Sequence, residues 1–324
     1  MRGPLAAMND SPTIAVIGGG AIGGYYGARL AQHGHDVHFL LRSDYDAVRR
    51  DGWRIRSYAG DFCLAPDASH ICNDPRQMPP ADLVLVAIKT TANDQYESLI
   101  APLLKHDTAI VSLQNGLGND ERLAELFGAP RVVGGMAFVC SNRLAPGVIH
   151  HIAYGRISVG EFGSPPGQRV ARIADLFTSS GIPAEVLADL RQGRWKKLVW
   201  NVPFNGLGAV LDQSTDRLIS DDGGVQIVSA LMKEIIVAAE SLGLAMPPDM
   251  AGRMLRHTRT MGAYRTSMQI DRQGGRPMEI ESILGEPLRQ ARRQGVQTPR
   301  LEMLYEMARM LDNHGVEREI RPIQ

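Results

Sequence analysis

Residues 14–23 read Ile-Ala-Val-Ile-Gly-Gly-Gly-Ala-Ile-Gly, an apolar strand running directly into Gly18-x-Gly20-x-x-Gly23, and a helical segment follows. In a dinucleotide-binding βαβ unit each of these glycines has a mechanical task. The first permits a tight turn, the second lets a pyrophosphate approach the backbone, and the third lets helix and strand pack closely. Ala21 and Ile22 sit between the second and third glycines and open the helix. Its free N–H groups and partial positive charge suit the phosphates. Strand, loop and helix in this order separate the motif from a merely Gly-rich turn.

The remaining pattern extends that unit. Strands are expected at 13–18, Asp36–Leu41, Trp53–Ser57 and Phe62–Ala65, with a helix over 21–33. Leu83 to Ile88 is a continuous apolar run, as in a strand buried on both faces of a parallel sheet. A helix near Asn93–Leu104, a strand at Ala109–Leu113, a helix near Asn119–Phe127 and a strand at Arg131–Val139 follow. This β-α-β alternation indicates an α/β, doubly wound sheet. Gly147–Ile152 and Arg156–Gly160 alternate around Ala153-Tyr154-Gly155, which reads as a hairpin turning at those three residues. From about residue 188 strand signals vanish, and helical periodicity covers 189–211, 223–242, 248–262, 279–294 and 299–314. Three regions are therefore expected: a loose tail over 1–12, a nucleotide-binding domain over 13–187 and a helical domain over 188–324.

Composition excludes some classes. Formal net charge is zero, with 35 basic and 35 acidic residues, which argues against a nucleic-acid or anionic-membrane surface. No apolar run approaches the roughly 18 residues of a membrane span. Cys63, Cys72 and Cys140 are scattered, suit a reducing cytosol and suggest neither a disulfide framework nor a zinc site. His33-x-His35, with His38 beyond it, reads as a turn signature rather than a metal site, and no metal is expected.

An acidic residue usually closes the second strand of an NAD-binding sheet and bonds the ribose 2′-OH. Here Arg42 stands in its place. A guanidinium suits a 2′-phosphate through bidentate, charge-assisted hydrogen bonds, so NADP is favoured. The alternative leaves Arg42 as a solvated loop residue, with Asp44 or Asp46 holding a ribose.

Four further clusters carry candidate chemistry. Ile88-Lys89-Thr90 and Gln114-Asn115-Gly116 follow successive strands at their carboxyl ends, where open α/β sheets bind ligands. Lys197, Asn201 and Asn205 are spaced by four beside the apolar residues Leu198, Val199, Trp200, Val202 and Phe204, and so share one helical face. A lysine and two amides there need partners, and a ligand is an economical one. Pro203 should kink that helix. Ser267-Met268-Gln269-Ile270-Asp271 looks like a polar loop, and Glu279 like a carboxylate opening the next helix.

In this order the clusters resemble the ketopantoate reductase family, over nearly the whole chain from Gly18 to about residue 310. The resemblance implies an N-terminal Rossmann domain and an all-helical C-terminal domain. It also implies NADPH-dependent reduction of a 2-oxo acid to a 2-hydroxy acid: ketopantoate to (R)-pantoate in pantothenate and coenzyme A synthesis. By that resemblance Gly18, Gly20 and Gly23 hold the pyrophosphate, Arg42 the 2′-phosphate and Lys89 the cofactor. Asn115 touches cofactor and substrate, Lys197 is the catalytic lysine, Asn201, Asn205 and Ser267 bind substrate, and Glu279 is the functional glutamate, either holding Lys197 charged or bonding a ribose hydroxyl.

The chemistry needs these types. Hydride arrival makes the carbonyl oxygen an alkoxide, and a positioned ammonium can hold and protonate it. One departure stands out: some relatives place an asparagine ten residues after the second amide to grip the substrate's distal hydroxyl, where this chain has Thr215. That keeps two alternatives open, a reductase of another 2-oxo acid and a non-catalytic NADPH sensor. The partner is a small-molecule 2-oxo acid; a homodimer is one option for the assembly.

Overall fold

The computed structural model describes residues 11–320. The tail expected over 1–12 lies outside them except for Ser11 and Pro12. Chain contacts divide the molecule into two units. One contains the chain up to Gln114 together with Asn119–Leu190, and the other contains Asn115–Gly118 and everything from Arg191 onward.

The first unit is built on one ten-stranded sheet. Its strands are β1 (Thr13–Ile17), β2 (Asp36–Leu40), β3 (Trp53–Ser57), β4 (Phe62–Leu64), β5 (His70–Cys72), β6 (Ala81–Val86), β7 (Leu104–Ser112), β8 (Val132–Ala145), β9 (Val148–Glu161) and β10 (Ala184–Val186). In space they run β4-β3-β9-β8-β7-β6-β1-β2-β5, with β10 beside β9. The segment β8-β7-β6-β1-β2-β5 is wholly parallel. The chain passes from β1 to β2, crosses to the far end of the strand order for β3 and β4, comes back to β5 beside β2, and then places β6 on the other side of β1. That reversal is the crevice where such sheets take ligands, at the carboxyl ends of β1 and β6.

Alternation along the central strands explains why both faces are covered. Ile14 and Val16, with Leu83 and Leu85, enter one core with Tyr26 and Leu30 of α1 (Ala21–Gln32) and Ile173 and Phe177 of a later helix, Gln168–Ser179. Ala15 and Ile17, with Val84 and Val86, face a second core with Tyr96 and Ile100 of the short helix Tyr96–Ile100 and Leu123 of helix Asn119–Phe127. Strands buried on both faces lose the polar alternation, which is what the unbroken Leu83–Val86 run records.

The hairpin expected between 147–152 and 156–160 is not formed: from Val148 onward both segments belong to the one strand β9, which pairs instead with β8. β8 and β9 pair antiparallel over their length and reverse at Pro146-Gly147, where Gly147 has φ 69°. Tyr154 (φ 65°) and Gly155 (φ 117°) instead interrupt the middle of β9. Pairing skips from Phe138–Arg156 to Val139–Tyr154, leaving Gly155 as the extra residue of a β-bulge. A turn and a bulge both demand left-handed backbone, so the same residue types signal both. His151 is buried beside the bulge and bonds the Tyr154 carbonyl at 3.0 Å; burial holds its pKa near 4, so the ring is neutral.

In the second unit the helical expectation holds, with two differences. Helices cover Leu190–Leu211, Thr215–Leu218, Asp222–Ser241, Met250–Met261, Ser267–Gln273, Glu286–Arg293 and Pro299–Ile320, with a π-helical turn at Glu281–Gly285. Pro203 lies inside the first of these without ending it. Ser267–Asp271 is helix rather than loop, begun by Thr266, whose hydroxyl accepts from the Gln269 N–H at 3.4 Å. Seven residues are too few to show helical periodicity. Among the described residues no helix is long and apolar enough to cross a membrane.

Candidate active site

The first unit presents the glycine loop at the end of β1. Gly18 has φ 100°, and a Cβ there would lie 2.9 Å from Ile88 Cγ2 and 3.1 Å from the Ile88 nitrogen. The loop therefore packs directly on the segment leaving β6. A Cβ at Gly23 would lie 2.0 Å from the Gly18 carbonyl oxygen. A Cβ at Gly20 would meet nothing within 4 Å. Gly20 is also the N-cap of α1 and no side chain caps that end, so the first-turn N–H groups of Ala21, Ile22 and Gly23 have no intrahelical acceptor. Open space before uncapped N–H groups is what a pyrophosphate requires, and these residues fit a dinucleotide.

Strand β6 ends at Val86, so Lys89 lies three residues beyond it, exposed, as the N-cap of the 3₁₀ turn Thr90–Gln95. Amides fix this segment. Gln114 Nε2 donates to the Ile88 carbonyl at 3.0 Å and to Asn93 Oδ1 at 2.9 Å, and Asn93 Nδ2 donates to Asn119 Oδ1 at 2.7 Å. Past β2, Arg42 is exposed and makes no ion pair among the described residues. Asp44 is buried and committed: it accepts from Arg143 Nε and Nη2, from Ser43 Oγ and from the Gly147 N–H. A carboxylate so occupied offers nothing to a ribose, which removes Asp44 from the alternative reading of this strand end.

In the second unit, the 190–211 helix brings Lys197, Asn201 and Asn205 to one face. Lys197 Nζ donates to Asn115 Oδ1 at 2.8 Å. Burial pulls the ammonium down from the ordinary lysine range to about 7. The Arg194 charge acts in the same direction and the Glu279 carboxylate opposes it. Asn201 is only 5% exposed, and its side chain makes no hydrogen bond among the described residues. Asn205 Oδ1 accepts from Ser267 Oγ at 3.4 Å and from the Met268 N–H at 3.5 Å. Two groups thus form on this unit: Lys197 with Asn115 by a hydrogen bond and with Glu279 by charge, and Asn205 with Ser267 by a hydrogen bond.

Thr215 is not among them. It is fully buried; its hydroxyl donates to the Gly262 carbonyl at 3.2 Å and accepts from the Tyr264 N–H at 3.3 Å. Both contacts go to the 262–264 backbone, which holds the Thr215 hydroxyl in place.

Two positioning features escaped the sequence reading. Arg194, one turn before Lys197, is 4% exposed, where Arg-x-x-Lys on a helix suggests a solvated edge. The π turn Glu281–Gly285 receives the 115–118 segment: Leu117 N–H donates to the Ser282 carbonyl at 2.9 Å, and a Cβ at Gly116 would lie 2.2 Å from that oxygen. A glycine contact therefore seats Asn115 against the turn that follows Glu279. π turns often mark functional sites.

Comparison with known proteins agrees with this layout. Residues 14–164 match the family described as Ketopantoate reductase PanE/ApbA, and residues 189–312 match Ketopantoate reductase PanE/ApbA C terminal. A Nostoc sp. protein named 2-dehydropantoate 2-reductase is 44% identical over 306 residues, 93% of this chain and 95% of that protein. The crystal structure of 2-dehydropantoate 2-reductase from Geobacter metallireducens superposes with a TM-score of 0.89 at 45% identity, covering 92% of this chain and 99% of that one. The corresponding structure from Methylococcus capsulatus gives 0.83 at 36%, covering 94% and 97%. With both halves of the chain matched, this protein belongs to the ketopantoate reductase family.

Proposed function

We propose that the chain reduces 2-dehydropantoate (ketopantoate) to (R)-pantoate with NADPH, in the reducing cytosol and in the service of pantothenate synthesis. Lys197 is the general acid. The reading rests above all on that residue: an ammonium brought to about pKa 7 by burial, four residues from a buried amide with no partner of its own among the described residues. A general acid works best when its pKa lies near the working pH. The names borne by the similar proteins supply the substrate.

Bound NADPH supplies the hydride that becomes the new C–H bond at C2. As negative charge develops on the carbonyl oxygen, Lys197 transfers one proton from Nζ and the oxygen becomes the hydroxyl. Asn115 Oδ1, accepting from the same Nζ, aims the ammonium. Glu279 keeps a useful fraction of it charged at neutral pH. Asn201, Asn205 and Ser267 carry no titrating group and orient the substrate's oxygens, Asn201 with both halves of its amide. Gly18, Gly20 and Gly23 hold the pyrophosphate, with Lys89 beside the loop.

Arg42 makes the cofactor NADPH rather than NADH. Arg42→Ala should raise the Kd for NADPH about 10–100-fold, the worth of a charge-assisted hydrogen bond, and leave that for NADH within about threefold. Titration of cofactor fluorescence reads both. The activity itself is tested by NADPH consumption with ketopantoate beside a panel of branched 2-oxo acids. Ketopantoate should be the best substrate. Efficient turnover of another acid in its place would move the chain to a sister specificity, and tight NADPH binding without turnover of any would make it a sensor.

A further inference from the structure

At the end of the sheet opposite the glycine loop, strand register assembles a second group of ligands. β2 and β5 are parallel neighbours, and His38 pairs directly with His70. Asp36 lies two residues before His38 and so projects from the same face. One carboxylate oxygen, Asp36 Oδ1, is 2.9 Å from His38 Nε2 and 3.6 Å from His70 Nε2, and the donor atoms all lie within 4.8 Å of one another. The rings stack with centroids 4.3 Å apart and an interplanar angle of 15°. An Asp36–His38 hydrogen bond alone would be unremarkable. The second imidazole, set by backbone pairing against the same oxygen, makes a set of three donors.

We propose that Asp36, His38 and His70 bind one borderline divalent transition-metal ion, with Zn²⁺ the natural occupant. A tetrahedral ion about 2.0–2.1 Å from each ligand places its donors about 3.4 Å apart, and the two distances to Asp36 Oδ1 fall either side of that value. Two imidazoles with one carboxylate favour Zn²⁺, Co²⁺, Ni²⁺ or Cu²⁺ over Mg²⁺ or Ca²⁺. His38 is 8% exposed and held in the sheet, whereas the His70 side chain is 64% exposed and can turn its ring out of the stack toward the ion. The open side leaves the fourth position to water. Bound there, the ion ties β5, a three-residue edge strand, to β2.

The test uses the full chain, freed of metal with a chelator and dialysed against Co²⁺ and then Zn²⁺. One Co²⁺ should bind per chain, with visible bands of a low-coordinate site, and Zn²⁺ should displace it and raise the thermal midpoint. His70→Ala and Asp36→Asn alter exposed side chains and leave the fold in place. Each should weaken binding more than about tenfold, the least that losing even a ligand's outer partner costs, and abolish the thermal shift. His33→Ala, on the adjoining turn, should change neither. Absence of binding, or equal binding by the His70 and Asp36 variants, would overturn the proposal. So would loss of binding in His33→Ala, which would place the ion on the turn.

Discussion

Lys197→Ala should lower kcat by about 10²–10⁴-fold, the contribution of a positioned general acid, while the Kd for NADPH should stay within about threefold. The split follows from position. Lys197 bonds Asn115 and interacts with Arg194 and Glu279, whereas the glycine loop and Arg42 belong to the other unit. The same residue fixes the pH dependence. In the proposed role its active form is the ammonium, and burial lowers its pKa to about 7. kcat/KM for the 2-oxo acid should therefore be level below about pH 7 and fall tenfold per unit above it, because the free enzyme loses the proton it must donate. An ordinary lysine would hold that rate level to about pH 10. Lys197→Arg keeps a charge that does not titrate in this range and should remain slow, with the descending limb gone. Stopped-flow measurement of NADPH oxidation across the pH range reads all three. A wild-type profile level past pH 9 would remove Lys197 from the role.

Two alanines in one loop should fail in different ways. Gly20→Ala adds a methyl where no atom lies within 4 Å and the backbone φ is −68°, so the fold accepts it. Stability should change by less than about 1 kcal/mol, the difference between glycine and alanine at an N-cap. The methyl nevertheless fills the space before the helix N–H groups, and NADPH affinity should fall more than about tenfold. Gly23→Ala sets a methyl 2.0 Å from the Gly18 carbonyl oxygen, a backbone atom that no rotamer change can clear. Helix and strand must separate, at about 1–3 kcal/mol or more, and the loop loses its shape as well. Thermal melts with cofactor titrations distinguish the cases. A Gly20→Ala protein that binds NADPH normally would mean that the phosphates lie elsewhere.

Local chemistry made part of this architecture legible. A glycine pattern between strand and helix, and a lysine and two amides at fourfold spacing, express backbone rules that act over a few residues. Asn119–Phe127 is readable to the residue for the same reason. What escaped depends on distant partners. Gly155 carries the signal of a turn, and only pairing with Phe138 and Val139 makes it a bulge. Ser267 reads as loop because its short helix is held by a cap and by Asn205 rather than by a periodic apolar face. Thr215 offers a hydroxyl in sequence, and only the 262–264 backbone shows what holds that hydroxyl in place. Asp44 could have held a ribose until Arg143, ninety-nine positions later, was seen to occupy it.

Helix α1 carries Gly23, Gly24 and Gly27 within twelve residues, and side chains of Trp53, Ile149 and Phe39 press where two of their methyls would be. Three glycines cost a free helix about 3 kcal/mol relative to alanine, so this helix draws its stability from the strands packed against it more than from its own sequence. The phosphate cradle therefore depends on that packing being complete. A nucleotide can be captured only by a finished domain, and every bound molecule withdraws one from the pool open to proteases.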